Sequence, residues 1–212
     1  MDEKCVTRFS CDDIIHALQH RNWRFCMFDE YPKKIVLKDS SECTFSIATR
    51  ESIAGVEDLF KRVSADDLWV LPRDYTRPES VHLFINSFNP DENVHVLAHQ
   101  DARIIGLGSI YFSRFGARKH IGHVEVIIDE AYKQKRLGTW IILDLATLAQ
   151  YLKLEILEIE LVVGKDDAAI IASKRINFIP QATLKNYLQD RKGRWIDMVI
   201  LLKEIHESWS DY

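Results

Sequence analysis

The segment from Val124 to Leu152 most constrains how this chain of 212 residues can fold. It begins with an apolar strand, continues through a basic turn, and ends in a long helix with Ile141, Leu145 and Leu148 along one side. Backbone N–H groups in such a turn point along the start of a helix, where the helix dipole is positive. The pattern therefore predicts a binding site for a phosphate or pyrophosphate group, and hence a ligand with a nucleotide tail.

The charge of the chain favours a small anionic ligand over a nucleic acid. Its formal net charge is -4 and its pI is about 6.1, so no overall basic field attracts a polyanion. Basic residues gather locally around the turn, and they are Arg114, Arg118, Lys119, Lys133, Lys135 and Arg136. We expect no nucleic acid partner.

The sequence contains no apolar run long enough to span a bilayer, so no membrane association is expected. Residues 1–4 lead into polar sequence, without the apolar stretch and cleavage site of a secretory signal. Both features predict a cytoplasmic location.

All four cysteines lie within the first 43 residues, and their spacing fits neither a zinc ribbon nor a redox pair. They are Cys5, Cys11, Cys26 and Cys43. A metal site that combines Cys5 and Cys11 with His16 and His20 is the weaker alternative, because cysteines of this kind more often pack in a core. No metal is expected.

The pattern of apolar residues divides the chain near residue 44. Residues 1–44 are weakly patterned, with a short helix predicted over 11–21 and short strands over 23–28 and 34–37. The predicted parts are an N-terminal extension over 1–44, a main domain over 45–205 and a C-terminal tail over 206–212.

Periodicity in the main domain predicts an α/β fold. The order is a strand, two helices, three strands, a helix, a strand, a helix and a strand. Residues 64–78 are predicted to be an aromatic loop over a site, and Asp166 is predicted to cap the last helix. The strand, helix and strand after residue 124 require a parallel crossover. We predict a mixed, mostly antiparallel sheet with helices on both faces.

The basic turn resembles the acyl-CoA motif of the GCN5-related N-acetyltransferase (GNAT) family, which reads Arg/Gln-x-x-Gly-x-Gly/Ala. Lys133, Arg136 and Gly138 fall on its three fixed positions, so an arginine replaces the first glycine. Downstream, Asp166 stands where the family has asparagine, and Ser173 stands where many members have a tyrosine general acid. The resemblance covers roughly residues 45–203.

The resemblance implies binding of an acyl-CoA, most simply acetyl-CoA as the acyl donor. A backbone N–H near Val126 or Ile127 would donate to the thioester oxygen. The residues implied in binding CoA are Val126, Ile127, Ile128, Lys133, Gln134, Lys135, Arg136, Leu137, Gly138, Thr139, Asp166 and Ser173.

A looser resemblance to the bacterial protein-lysine acetyltransferase branch begins at Tyr31-Pro32 and extends to Ser64. It implies a protein lysine as the acceptor, and it leaves a small-molecule primary amine open. The sequence also leaves the oligomeric state open, a homodimer included.

Acyl transfer needs a base that removes a proton from the amine, and Glu125 is the candidate. His123 lies on the same face of the predicted strand and is the substitute. Two other functions stay open, a catalytically silent acyl-CoA binding or sensing module and an interaction scaffold. The arginine at position 136 is expected to adopt an ordinary helical φ, with its guanidinium along a CoA phosphate.

Overall fold

The computed structural model describes residues 30–87 and 89–205. The helix predicted over 11–21, the strand predicted over 23–28 and the tail over 206–212 lie outside the described residues. So do Cys5, Cys11, His16 and His20. Within the described ranges, no helix is long and apolar enough to cross a membrane.

The described residues form one eight-stranded sheet, in the order β1-β2-β3-β4-β5-β6-β8-β7. Its strands are β1 (Lys33–Val36), β2 (Glu42–Ile47), β3 (Asn93–Gln100), β4 (Arg103–Tyr111), β5 (Ile121–Ile128), β6 (Ile156–Val162), β7 (Ile179–Gln189) and β8 (Trp195–Glu204). All neighbouring strands are antiparallel except β5 and β6, which are parallel.

Helices cover both faces of this sheet. They are α1 (Ile53–Arg62), α2 (Ala65–Trp69), α3 (Pro78–Asn86), α4 (Leu137–Tyr151) and α5 (Asp167–Arg175). Helix α4 packs on β3, β4 and β5 from one side, while α1 packs on β4 and α3 from the other. The predicted α/β fold and the parallel crossover through α4 are therefore confirmed.

The predicted boundary between residues 44 and 45 lies within β2, which pairs with both β1 and β3. Two other details differ from the sequence prediction. The predicted loop over 64–78 contains α2, whose first turn is capped by Ser64 accepting from the N–H of Asp67 at 3.1 Å. Strand β7 was not predicted, because its side chains are almost all exposed and give no alternating pattern.

The core under α4 depends on a close approach between helix and sheet. Ile141 and Leu145 are completely buried there, together with Val96, Ile105 and Phe45. At Gly108 in β4, a Cβ would lie 2.2 Å from Ile141 Cγ2 and 3.1 Å from Leu145 Cδ1. Only the absence of a side chain lets α4 sit this low on the sheet.

We expect Gly108→Ala to destabilise the protein by about 1 to 3 kcal/mol, because the added methyl group overpacks this contact. Urea unfolding would measure the loss. Gly116→Ala is a poor control, because φ at Gly116 is +92°, so Ile171→Ala on the exposed face of α5 serves instead. Equal stability of Gly108→Ala and the wild type would show that α4 can move away from β4 without cost.

The core on the opposite face is rich in aromatic rings. Phe60 of α1 stacks on Tyr75 with centroids 4.5 Å apart, and Phe84 of α3 meets the edge of both rings. Leu97 and Ile127 of the sheet complete this cluster. The packing fixes the segment between α2 and α3 against the sheet, so Tyr75 reaches the side chains of β4 and β5.

Candidate active site between two parallel strands

Strands β5 and β6 separate halfway along their length. Their pairing runs from Ile121 opposite Ile156 to Val124 opposite Ile159 and then stops. Beyond that point a cavity of about 690 Å³ opens between the strands. The sheet itself therefore creates a cleft at the carboxyl end of β5.

The separation leaves backbone N–H groups of β5 directed into the cleft. The N–H of Asp129 donates to Ile105 O of β4 at 3.0 Å. In an extended strand successive N–H groups point to opposite sides, so the N–H of Ile127 also points to β4 and those of Val126 and Ile128 point towards β6. Strand β6 no longer pairs at this level, so the N–H of Val126 faces the cavity.

The turn before α4 has the backbone of an anion site. Gln134 and Arg136 both have left-handed φ angles, +61° and +66°. Left-handed φ angles at alternate residues turn successive backbone N–H groups towards one point, and this arrangement suits an anion. The ordinary helical φ expected for Arg136 is therefore wrong: at this position the chain must reverse into α4, and the first bond of the helix closes from Trp140 N–H to Arg136 O at 3.1 Å. The N–H groups before Trp140 consequently have no acceptor within the helix.

Two lysines flank this turn and share one carboxylate. Lys133 Nζ lies 2.5 Å from Asp67 Oδ2, and Lys165 Nζ lies 2.8 Å from Asp67 Oδ1. Lys133 also pairs with Glu130 at 2.8 Å. The hydrogen bonds and charges of the two lysines keep the pKa of Asp67 low, at about 2, despite its partial burial. Both lysines are thus held at the cleft by their ion pairs with Asp67.

Asp129 ties β5 to the turn. Its carboxylate is only 1% exposed and accepts hydrogen bonds from Arg62 Nε at 2.7 Å and Arg103 Nη2 at 2.8 Å. It also caps the 3-10 turn Glu130–Tyr132 by accepting from the N–H of Ala131 at 3.1 Å. This buried charge cluster sets where the chain leaves the strand and enters the anion site.

Glu125 lines the cavity. It lies on the face of the sheet that also carries Ser109 and Tyr111 of the neighbouring strand β4. Burial raises the pKa of its carboxyl group, against the opposing effects of His123, Tyr111 and Arg73. A carboxylate with a raised pKa accepts a proton more readily than an exposed one. Glu125, with a carboxylate more basic than an exposed one, therefore lines the same cavity as the anion site.

His123 also lines the cavity, and it faces β6. Its Nδ1 lies 3.5 Å from Glu158 Oε1, and Glu160 lies next to them. Arg118 Nη2 donates to both oxygens of Glu158 at 3.2 Å. The side chains of His123, Glu158 and Glu160 are close enough together to share a cation. Within the described residues, however, Arg118 already compensates the negative charge of Glu158, which would have to bind that cation.

The structure brings nearly all of the predicted site residues together around the cavity. Lining it are Glu125, His123, Val126, Ile127, Ile128, Lys133, Gln134, Arg136, Leu137, Gly138, Thr139, Asp166 and Ser173. Lys135 is the exception, because its Nζ pairs with Asp39 at 2.9 Å and lies over the ring of Tyr132 instead. Its carbonyl accepts from the N–H of Lys38.

Two residues from α5 differ from expectation in detail. Asp166 stands at the N-cap of α5, but its side chain makes no capping hydrogen bond. It accepts instead from the N–H of Val162 at 2.9 Å, so it holds the end of β6. Ser173 is completely buried, and its hydroxyl has no hydrogen-bond partner within the described residues.

Sequence reasoning missed four polar residues at the site. Asp67 and Lys165 flank the anion site, and Tyr75 and Tyr111 lie on the face of the sheet that carries Glu125. The aromatic loop over 64–78 was a usable signal for Asp67 and Tyr75. Tyr111 gave none, because its position beside Glu125 depends on the register of β4 against β5.

No protein-family model and no curated protein matches this sequence. An acetyltransferase of the GNAT family from Streptococcus pneumoniae matches with a TM-score of 0.68 at 20% identity, over 77% of this chain and 99% of that chain. The GNAT domain of S. lividans PAT has the same TM-score at 12% identity, over 82% and 97%. The yncA protein from Salmonella typhimurium, with its cofactor acetyl-CoA, matches at 0.67 and 14% identity, over 79% and 96%. This chain has the fold of the GNAT-family acetyltransferases.

Proposed function

We propose that this protein is a CoA-dependent N-acyltransferase that moves an acetyl group from acetyl-CoA to a primary amine. One observation carries the proposal: a half-buried glutamate and an anion site at a helix start line the same cavity, between separated strands. The match to acetyltransferase structures, one of them with acetyl-CoA, supports the same donor.

The anion site is the proposed binding site for the pyrophosphate of CoA. The N–H groups at the start of α4, together with Lys133 and Lys165, supply the positive potential that a pyrophosphate needs. The rest of the donor would extend along the gap between β5 and β6. The apolar side chains of Ile142, Ile159 and Leu161 line it there.

The proposed reaction is direct attack of the amine on the thioester. Glu125 accepts the proton of the amine, the new C–N bond forms, and the C–S bond breaks to release the CoA thiolate. The N–H of Val126 would donate to the carbonyl oxygen as negative charge develops on it. A free thiol has a pKa of about 8.5, so the thiolate leaves with little help. The serine at position 173 therefore does not preclude turnover.

The acceptor is proposed to be a lysine side chain of a protein or a small-molecule amine. Glu125 and Glu160 line the cavity, and their carboxylates suit a positively charged amine before it loses its proton. The loop segment Val70 to Pro72 also lines the cavity.

Thermal unfolding with acetyl-CoA tests binding. At a concentration one hundred times its dissociation constant, the ligand should raise the free energy of unfolding by about 2.7 kcal/mol. Incubation with acetyl-CoA and a panel of lysine peptides and polyamines, followed by mass spectrometry, tests transfer. Binding without transfer to any amine would favour the silent acyl-CoA module, and no binding at millimolar acetyl-CoA would contradict the proposal.

Arg136→Gly should raise the stability of the protein by about 0.5 to 1 kcal/mol. A left-handed φ costs a non-glycine residue about 1 to 2 kcal/mol, and the extra freedom of glycine in the unfolded chain cancels part of the gain. CoA affinity should stay within about tenfold and become less sensitive to salt, because one cation is lost. Calorimetry at two salt concentrations measures this.

Lys135→Gly is the matched control for Arg136→Gly. It removes a cation from the same turn, at a position without a left-handed φ, so it should lose stability rather than gain it. A large gain in CoA affinity from Arg136→Gly would instead mean that the arginine obstructs the anion site.

A further inference from the structure

Helix α2 links the two strands that separate to form the cleft. Asp67 Oδ2 lies 2.5 Å from Nζ of Lys133, in the turn that leads from β5 to α4. Asp67 Oδ1 lies 2.8 Å from Nζ of Lys165, in the turn that leads from β6 to α5. All three residues line the cavity. A single carboxylate of α2 therefore joins the ends of both strands beside the anion site.

Asp67 and the pyrophosphate of CoA compete for the same two lysines. The proposed function assigns Lys133 and Lys165 to the pyrophosphate, yet both are paired with Asp67. Within the described part of the chain, Lys165 has no other ion-pair partner. A carboxylate and a phosphate repel each other, and a lysine that is neutralised by one attracts the other less. Asp67 thus occupies the position of an internal anion.

Helix α2 is held in this position mostly by polar contacts. Of its five residues only Leu68 is buried. Trp69 is 55% exposed, and its Nε1 donates to Gln189 O of β7 at 2.8 Å. Asp66 lies 3.6 Å from Arg191, in the turn between β7 and β8. Segments with few buried apolar contacts are among the first to open in a folded protein, so α2 is a segment that a ligand can displace.

The chain is firmly fixed on both sides of α2. Before the helix, Arg62 Nε donates to the buried carboxylate of Asp129 at 2.7 Å. After the helix, Tyr75 is buried in the aromatic core. Movement of α2 is therefore confined to residues 63–74. These residues include the segment Val70 to Pro72, which lines the cavity.

We propose that α2 is a lid that Asp67 holds closed beside the anion site, and that the pyrophosphate of CoA opens it by taking Lys133 and Lys165 from Asp67. This inference rests on the proposed function, because it takes CoA as the ligand of the anion site. Asp67 is then an internal competitor, which lowers the affinity for the donor. A residue that only positioned the two lysines for the phosphate would raise that affinity instead.

Asp67→Asn tests the sign of this effect. Asparagine has nearly the same shape as aspartate but no charge, so it forms no ion pair with either lysine. Calorimetry should show an affinity for CoA about three- to tenfold higher than that of the wild type, because two partly exposed ion pairs no longer have to be broken. Inorganic pyrophosphate should show the same rise. An unchanged or lower affinity for CoA would overturn the inference.

Asp66→Asn is the matched control, because it removes an equal charge from the neighbouring residue of the same helix. Asp66 is 75% exposed, and its ion-pair partner is Arg191 instead of a lysine of the anion site. Its affinity for CoA should stay within about twofold of the wild type. A rise as large as that of Asp67→Asn would mean that the contact with the two lysines has no special effect, and it would overturn the inference.

Hydrogen exchange tests the movement of α2 in the wild type, without any variant. CoA should slow amide exchange at residues 133–139, where it binds. At residues 65–69 it should instead speed exchange by about threefold or more, because a helix of five residues is not stable away from its contacts. Slower or unchanged exchange at 65–69 would show that α2 stays closed, and would overturn the inference.

Failure of the proposed function would give a different result. A protein that binds no CoA would contradict that function, while a higher affinity of Asp67→Asn for inorganic pyrophosphate would still support Asp67 as the competitor at the anion site. A protein that transfers acetyl groups, but whose CoA affinity does not rise in Asp67→Asn, would keep its function and lose the lid. If neither anion binds to either protein, both proposals are wrong.

Discussion

Glu125→Gln is expected to lower kcat for acetyl transfer by about a hundredfold or more, with the dissociation constant for CoA unchanged. A general base contributes about a factor of 10² to 10⁴ to such a reaction, and glutamine has nearly the same shape without the basicity. Glu125 lines the cavity from β5 and is not part of the turn at residues 133–136, which forms the anion site. Steady-state kinetics with calorimetry of CoA binding separates the two effects.

His123→Gln is the matched variant, because His123 lines the same cavity two residues earlier on β5 and is the substitute base. Its side chain faces Glu158 at 3.5 Å, so kcat should fall less than tenfold. If His123→Gln abolishes transfer while Glu125→Gln behaves like the wild type, the roles of the two residues are reversed.

The pH dependence of the wild type follows from the same carboxylate. Burial raises the pKa of Glu125 above its ordinary value, and only the ionised form accepts a proton. Activity should therefore fall as the pH drops through this raised pKa, and Glu125→Gln should lose that acid limb. The pH profile of kcat/KM measures both.

Much of the fold could be predicted from the sequence, because its central elements are patterned by the core. The buried stripe of α4 and the alternation of β5 and β6 are visible as apolar periods of about 3.6 and 2. Strand β7 could not be found this way. It is an edge strand with exposed side chains, a proline, and two irregularities in its pairing with β8.

The turn at residues 133–136 shows where local reasoning fails. Taken alone, an arginine prefers a negative φ, and the sequence therefore predicted one. In the fold, β5 and α4 are both fixed by core packing, and the chain between them must bend sharply enough to force Arg136 into the left-handed region. Tertiary structure decided the conformation, at a local cost of about 1 to 2 kcal/mol.

The candidate site was predictable in composition and only partly in arrangement. A strand, a basic turn and a helix locate the cavity from sequence alone. The neighbours of Glu125 are different, because Ser109 and Tyr111 lie on the same face beside it only through the register of β4 against β5. No short-range pattern encodes that register, so the surroundings of this candidate base appear only in the folded protein.

Asp129→Asn is expected to lower the free energy of unfolding by about 3 kcal/mol. The carboxylate is buried and pairs with Arg62 and Arg103. Removing it takes away the buried carboxylate partner of the largely buried Arg62 guanidinium and leaves only the exposed Asp58, and breaking such a buried pair costs about 3 to 5 kcal/mol. Arg103 is half exposed and recovers water, so the lower end of that range applies. Urea unfolding at neutral pH measures the change.

The matched control for this charge cluster is Asp58→Asn, which removes the other carboxylate partner of the same arginine. Asp58 is 59% exposed and four residues from Arg62 on α1, so its loss should cost less than about 1 kcal/mol.

The pKa of Asp129 lies below the ordinary value of 3.8, although burial opposes this, because Arg62, Arg103 and the N–H of Ala131 favour its ionised form. The stability that Asp129 contributes is therefore fully present above its ordinary pKa of 3.8 and disappears as the pH falls through the lowered pKa. Acid should accordingly narrow the difference in the free energy of unfolding between the wild type and Asp129→Asn. Equal losses in the two variants at neutral pH would mean that burial of Asp129 adds nothing. A normal CoA affinity in a destabilised Asp129→Asn would mean that the anion site forms without this anchor.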